Sequence, residues 1–190
     1  MIWWPEEVPT LTGTNSKYGT AVTLRPITPG DAEDIYRACQ DPLIPRFTTL
    51  PTEYSLDNAI TFCGAGAIKR HASRTELVFV IVSSELEGTG FAGVISLHSI
   101  DFSNQKSSIG YWLAKEARGK GIGTTAAELI TEYGLMTMGF RRIDALVVED
   151  NEPSKKLLLN AGYEYEGLLK QYSTRRDGSQ VNMALFAATK

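Results

Sequence analysis

From about residue 21 onward, short apolar runs alternate with longer stretches in which apolar positions recur three or four residues apart. That rhythm predicts strands interleaved with helices. Residues 21–25 read as a first strand. Thr28-Pro29-Gly30-Asp31 then has the form of a helix start, Thr28 as cap and Asp31 three residues on. Ala32, Ile35, Tyr36 and Cys39 carry that helix forward. A loop punctuated by Pro42, Pro45 and Pro51 leads to a second helix over 55–69. Strands are predicted over 77–82 and 91–97, separated by Glu85-Leu86-Glu87-Gly88, and again over 107–114. Ile122, Ala126, Leu129, Ile130, Tyr133 and Met136 keep helical spacing through 122–138. A β-branched run over 143–148 reads as a strand. A short helix over 152–161 follows, with Asn151 as its cap, Pro153 in its first turn and Gly162 past its end. Strands over 163–169 and 181–187, joined by a polar turn at 175–178, close the pattern. Residues 1–20 show no clear period and read as an N-terminal extension, leaving 21–190 as one domain.

The bulk numbers narrow the classes. A chain of 190 residues that is 43% hydrophobic and 22% charged is expected to fold around one sizeable core. Its net charge of -3 offers no general attraction to nucleic acid or to an anionic membrane, so neither is an expected partner. Lys69, Arg70, His71 and Arg74 form only a short basic cluster, read as a solvated helix end. Cys39 and Cys63 fall within predicted helices and make no disulfide framework; a small apolar core role suits them. The longest apolar run, 77–82, is far short of the roughly 20 residues that span a bilayer. A cytoplasmic setting is therefore expected. Two His and two Cys at no ligand spacing predict no metal.

The segment that carries chemistry is 109–125, where a strand ends near Ala114 and Arg118-Gly119-Lys120-Gly121-Ile122-Gly123 opens a helix. Alternating glycines permit unusual backbone angles, and a helix N-terminus leaves N–H groups unpaired at the positive end of its dipole. Together they predict an anion site suited to a pyrophosphate. Arg118 and Lys120 are expected to add positive charge, and Thr124 a hydroxyl. Three other readings compete. The glycines can simply make a tight turn. A Walker loop is excluded, because the Gly-Lys-Ser/Thr ending is absent. A dinucleotide fingerprint is superficially close, with Asp144 near the ribose distance, but that motif opens the first βα unit and this one follows several strands.

The run Arg118-x-x-Gly121-x-Gly123 resembles the signature of the GCN5-related N-acetyltransferases. The flanking segments are similar to the branch that acetylates ribosomal-protein N-termini, the RimJ/RimL-like group. They are Leu24-Arg25-Pro26, 109–113, Asn151-Glu152-Pro153-Ser154, Asn160-Ala161-Gly162-Tyr163 and 166–170, in the family's order. The resemblance implies an α/β (α+β) fold: a central mixed, mostly antiparallel sheet of about seven strands, flanked by about four helices and splayed between the strands at 107–114 and 143–148. It implies acetyl-CoA as cosubstrate and no metal. The backbone of Tyr111, Trp112, Leu113 and Ala114 would pair with the pantetheine arm as an added strand would. The diphosphate would sit on Arg118, Gly119, Lys120, Gly121, Ile122, Gly123 and Thr124. Asn151 would meet the pantetheine from across the gap, cap the next helix, or do both.

Direct attack by an amine needs a polarised carbonyl and a proton for the departing thiolate. A strand amide at Leu113 is an oxyanion donor candidate. Ser154, which matches a serine relatives use to protonate the thiolate, is the catalytic candidate; a first-turn helix hydroxyl is its plainer role. Relatives that carry a glutamate after the Lys-Gln matching Lys170-Gln171 have no counterpart here, where Tyr172 and Ser173 follow. Candidates for the base are Glu76, Glu149 or Asp150 through water, and His98. His98, Gln171 and Tyr172 are expected to line the acceptor cleft. The acceptor is a protein N-terminus or a small amine, and the Trp3-Trp4 arm hints at a homodimer contact. Two further classes stay open: a coenzyme A-binding module without turnover, and a dinucleotide-dependent oxidoreductase.

Overall fold

A computed structural model describes residues 2–175 and 178–190. In chain order its elements are β1 (Leu11–Thr14), β2 (Ala21–Pro26), α1 (Ala32–Ala38), α2 (Leu43–Phe47), α3 (Leu56–Thr61), α4 (Ala67–Ala72), β3 (Glu76–Val82), β4 (Phe91–Asp101), β5 (Lys106–Leu113), α5 (Ile122–Glu132), β6 (Arg142–Val148), α6 (Glu152–Asn160), β7 (Glu164–Thr174) and β8 (Gln180–Thr189). The strands form one sheet in the order β1-β2-β3-β4-β5-β6-β8-β7. Every pairing is antiparallel except β5 with β6.

Alternation along the strands gives the sheet two apolar faces. Phe79, Ile95, Ile109, Ile143 and Phe186 point to one side, where α5 and α6 pack over them. Val78, Val94 and the half-buried Trp112 point to the other, against α1, α3 and the turn that follows α3. Cys39 and Cys63 are both buried in that second core, and burial pushes the Cys39 thiol up to about 12 and Cys63 up to about 11. They pack as small apolar groups, as their spacing predicted.

Three departures from the expected elements have local causes. Residues 11–14, assigned to the extension, pair with β2 from Leu11↔Leu24 to Thr14↔Ala21, so the sheet gains an eighth strand. Trp4 packs between His71 (ring centroids 5.6 Å apart) and Phe102 (6.4 Å), and the Trp3 amide donates to the Met138 carbonyl at 2.8 Å. The arm is thus part of the fold. In the predicted 55–69 helix, α3 and α4 are joined by a wide π-type turn over Phe62–Gly66 with non-helical angles at Gly64. The basic cluster on α4 is not wholly solvated either: Arg70 pairs with Glu76 at 3.0 Å and stacks over Phe62. Of the predicted 175–178 turn, 176 and 177 lie outside the described residues.

Candidate active site

The sheet comes apart at its one parallel pairing. β5 and β6 are joined only at Lys106↔Arg142, Ser107↔Ile143 and Ser108↔Asp144. Beyond that, β5 follows β4 to the pair Gly93↔Leu113, and β6 follows β8 to Val148↔Met183. A wedge opens between them. The Ala114 amide donates to the Ala92 carbonyl at 2.9 Å. Because bonding direction alternates along an antiparallel ladder, Trp112 also bonds towards β4, while the N–H and C=O of Tyr111 and Leu113 face the wedge. Of the expected 111–114 set, Tyr111 therefore turns its N–H and C=O and Leu113 its N–H to the wedge, while the Leu113 carbonyl is taken by Arg118 and Trp112 and Ala114 bond towards β4. The Trp112 ring lies 6.0 Å from Phe91 on the α1 side of the sheet.

The glycine-rich turn closes the wedge at the end of β5. Gly119 (φ 76°) and Gly121 (φ 78°) adopt left-handed angles, and α5 starts at Ile122. The amides of Gly119, Lys120, Gly121, Ile122, Gly123 and Thr124 have no protein acceptor among the described residues. The Lys120 ammonium and the Thr124 hydroxyl are likewise free of protein partners there. A run of unclaimed donors at the start of an 11-residue helix could hold an anion such as a diphosphate.

Three of the residues expected there do other work. Arg118 gives no free charge: its Nε and Nη2 donate to the Leu113 carbonyl at 3.2 and 2.8 Å, and its Nη1 lies 2.7 Å from Asp41. Asp41 in turn accepts from the Leu43 amide at 3.0 Å, so Arg118 ties the end of β5 to the start of α2. The glycines, too, serve packing rather than leaving ligand space. A Cβ on Gly121 would stand 2.7 Å from Asn15 and Tyr18, and one on Gly123 would stand 2.6 Å from Leu157 and 2.7 Å from Leu113. Only at Gly119 would a Cβ meet nothing within 4 Å.

Tyr111 crosses the wedge. Its hydroxyl lies 2.6 Å from Ser154 Oγ in the first turn of α6, and burial holds its pKa up at about 12. Asn151 caps that helix, accepting from the Ser154 amide at 3.3 Å. The capping role expected of Asn151 is therefore realised, and Ser154 has a hydroxyl partner that the sequence did not announce.

Cross-strand partners share a face, so Glu76, His98 and Ser108 form a row on the α1 side of the sheet. His98 Nδ1 lies 2.9 Å from Ser99 Oγ, and its ring fills the space that Gly110 leaves. Burial lowers the His98 pKa against the pull of Glu76 and the Ile109 carbonyl, keeping the imidazole neutral at pH 7. The three candidate carboxylates are all engaged: Glu76 with Arg70 (3.0 Å), Asp150 with Arg46 (2.9 Å), Glu149 with Asn182 (2.9 Å). Gln171 and Tyr172 sit in a bulge where β7 skips from Leu169↔Met183 to Ser173↔Val181. Gln171 has a positive φ of 51°, and its amide donates to Asn182 Oδ1 at 2.8 Å. This bulge and His98 lie in different parts of the sheet, so the expected cleft trio is not one cluster.

The sequence pattern of the Acetyltransferase (GNAT) domain matches residues 21–164. The chain belongs to the GNAT acetyltransferase family. As a member it is an acetyl-CoA-dependent N-acetyltransferase. It is 30% identical over 149 residues to the N-acetyltransferase YoaA of Bacillus subtilis (strain 168), covering 78% of this chain and 82% of that one. It is 34% identical over 92 residues to the ribosomal-protein-serine acetyltransferase of Escherichia coli (strain K12), covering 48% of this chain and 51% of that one. Among solved structures, Mycobacterium smegmatis RimJ in complex with CoA-disulfide superimposes with a TM-score of 0.83 at 26% identity, over 98% of this chain and 90% of that one. The Microcin C7 self immunity acetyltransferase MccE, in complex with acetyl-CoA and AMP, gives 0.78 at 25% identity, over 89% and 92%.

Sequence reasoning missed four side chains of this acetyltransferase. Tyr111 was read for its backbone alone, although alternation on β5 puts it on the same face as Ile109 and towards α6. Asp41 and Asn182 hold the site's borders through bonds between distant segments, for which no local pattern exists. Asn15 carried a signal that was passed over: an Asn followed by polar residues and Gly19 is turn chemistry.

Proposed function

We propose that this acetyltransferase transfers the acetyl group directly to a primary amine, a protein or peptide N-terminal α-amine or a small-molecule amine. The observation that carries the donor half is the row of six unclaimed amides beside a wedge lined by the Tyr111 and Leu113 backbone. Acetyl-CoA would place its diphosphate on the 119–124 amides and its pantetheine along β5.

The amine nitrogen attacks the acyl carbon, with the Leu113 N–H donating to the oxyanion. The C–S bond then breaks, the thiolate takes the Ser154 hydroxyl proton, Ser154 draws one from Tyr111 at 2.6 Å, and water returns that proton to the pair. The proton lost from nitrogen passes to water, and a chain of waters would carry it on to His98, which lies about 16 Å along the sheet from Leu113 at about 3.3 Å per residue.

An α-amine suits this site better than a lysine side chain. Its pKa of about 7.7–8.0 lies roughly 2.5 units below that of lysine, which spares about 3 kcal/mol of deprotonation at neutral pH. That margin matters because Glu76, Glu149 and Asp150 are already paired. The similarity to the ribosomal-protein-serine acetyltransferase and to RimJ supports the same reading.

The test is an acetyl-CoA turnover screen over peptides with varied first residues, alongside polyamines and other small amines. Turnover is expected with free N-termini and to vanish when they are blocked. Tight acetyl-CoA binding with no thiol release from any amine would instead identify a binding module.

A further inference from the structure

Residues 15–20, the tip of the β1–β2 hairpin, lie outside the segment matched to the GNAT family, yet they touch the glycine-rich turn at several points. Asn15 is buried, 7% exposed, and its side-chain amide is engaged at both ends. Its Oδ1 accepts from the Lys17 and Tyr18 amides at 3.1 and 3.0 Å, shaping the tip. Its Nδ2 donates to the Gly121 carbonyl at 3.3 Å and to Thr125 Oγ1 at 3.0 Å. Thr20 Oγ1 donates to the Lys120 carbonyl at 3.1 Å. Below these bonds, a Cβ on Gly13 would stand 3.0 Å from Leu129. Gly121, Thr125 and Leu129 are four residues apart, so the hairpin lies along one stripe of α5.

Peptide planarity turns those contacts into a functional statement. In a trans peptide the C=O of one residue and the N–H of the next point in opposite directions. Holding the Lys120 carbonyl towards Thr20 aims the Gly121 N–H away from the hairpin. Holding the Gly121 carbonyl towards Asn15 aims the Ile122 N–H the same way. Both N–H groups belong to the unclaimed row. Gly121 must be glycine for the same reason: its left-handed angle and close approach to Asn15 and Tyr18 are one geometry.

We propose that the hairpin tip is a working part of the acyl-donor site, with Asn15 and Thr20 as positioning residues that orient the Gly121 and Ile122 amides towards the diphosphate of coenzyme A. The inference rests on the donor reading above, and it concerns the diphosphate alone. The experiment is to compare acetyl-CoA with S-acetylpantetheine, which lacks the diphosphate, as donors to one acceptor peptide. Thr20→Val and Asn15→Asp each remove a donor while keeping size, and Asn15→Asp also keeps the acceptor that shapes the tip.

In both variants kcat/KM for acetyl-CoA is expected to fall about tenfold, the scale of one or two misdirected hydrogen bonds. The value for S-acetylpantetheine and the KM of the peptide are expected to hold. Equal losses with both donors would mean a purely structural hairpin and overturn the proposal, as would an unchanged preference for acetyl-CoA. If Asn15→Asp fails to fold, Thr20→Val decides. A wild-type enzyme with no preference between the two donors would instead remove the diphosphate site itself.

Discussion

The two sides of the wedge are held together by different kinds of bond. On the donor side the contacts are partly buried and run to backbone: Asn15 to the Gly121 carbonyl, Thr20 to the Lys120 carbonyl, Arg118 to the Leu113 carbonyl. On the acceptor side they are exposed and end on side chains. Arg46 and Asp150 pair across the mouth with side chains 55% and 52% exposed, and the 170–172 bulge hangs on Asn182. Exposed ion pairs are weak and salt-screened, whereas buried bonds to backbone fix geometry. The donor side is therefore the more firmly positioned of the two. The acceptor side can be re-shaped by surface substitutions without disturbing the fold.

The largest effect that tests this contrast is expected at Gly121. Gly121→Ala combines left-handed strain of about 1–2 kcal/mol with displacement of the Asn15 bonds, so acetyl-CoA affinity should drop by about two orders of magnitude in calorimetry. Gly119 has nearly the same φ, 76° against 78°, but open space around it. Gly119→Ala should therefore cost only the strain, about tenfold. Equal losses at the two glycines would remove packing against the hairpin as the cause.

At the border between the two sides, Ser154→Ala should lower kcat by about a hundredfold, the low end for a lost proton donor, with little change in the KM for acetyl-CoA. Tyr111→Phe should lose less, and the double variant little more than Ser154→Ala alone, because the two hydroxyls act as one unit. Strictly multiplicative losses would mean that the 2.6 Å contact is only structural.

The smallest effect belongs to the acceptor side. His98 has a depressed pKa, so its neutral form persists below the ordinary value of 6.5 and is lost only as pH falls further. The wild-type rate should accordingly fall on an acid limb below that value, and His98→Gln should reduce kcat/KM by about tenfold and flatten the limb. The groups facing His98 are Glu76 on β3, itself paired with Arg70 of α4, and Ser108 on β5. An unaltered acid limb in His98→Gln would assign the titration elsewhere and remove His98 from the reaction.

Most of the sheet and the donor turn could be read from residues 21–190 because their signals are local. Alternating apolar positions, the Thr28 and Asn151 caps, and glycines before a helix each act within one or two turns of chain. Where a local signal had two explanations, the three-dimensional packing chose between them. Gly121 and Gly123 are glycines because Asn15, Tyr18, Leu157 and Leu113 press against them. Arg118 looked like a phosphate ligand because it is a cation in the right motif, but Asp41, 77 positions earlier, neutralises it.

By itself, then, the sequence determined most of the strands and helices after residue 20, that amides would be left unpaired at the glycine-rich helix start, and which family the chain resembles. Only the tertiary structure decided that the first twenty residues belong to the sheet, that Tyr111 meets Ser154, and that two of four β5 positions face the wedge. The physical reason is range. Backbone propensity and capping are settled by near neighbours, whereas the direction of a peptide group and the partner of a charge depend on segments that only folding brings together.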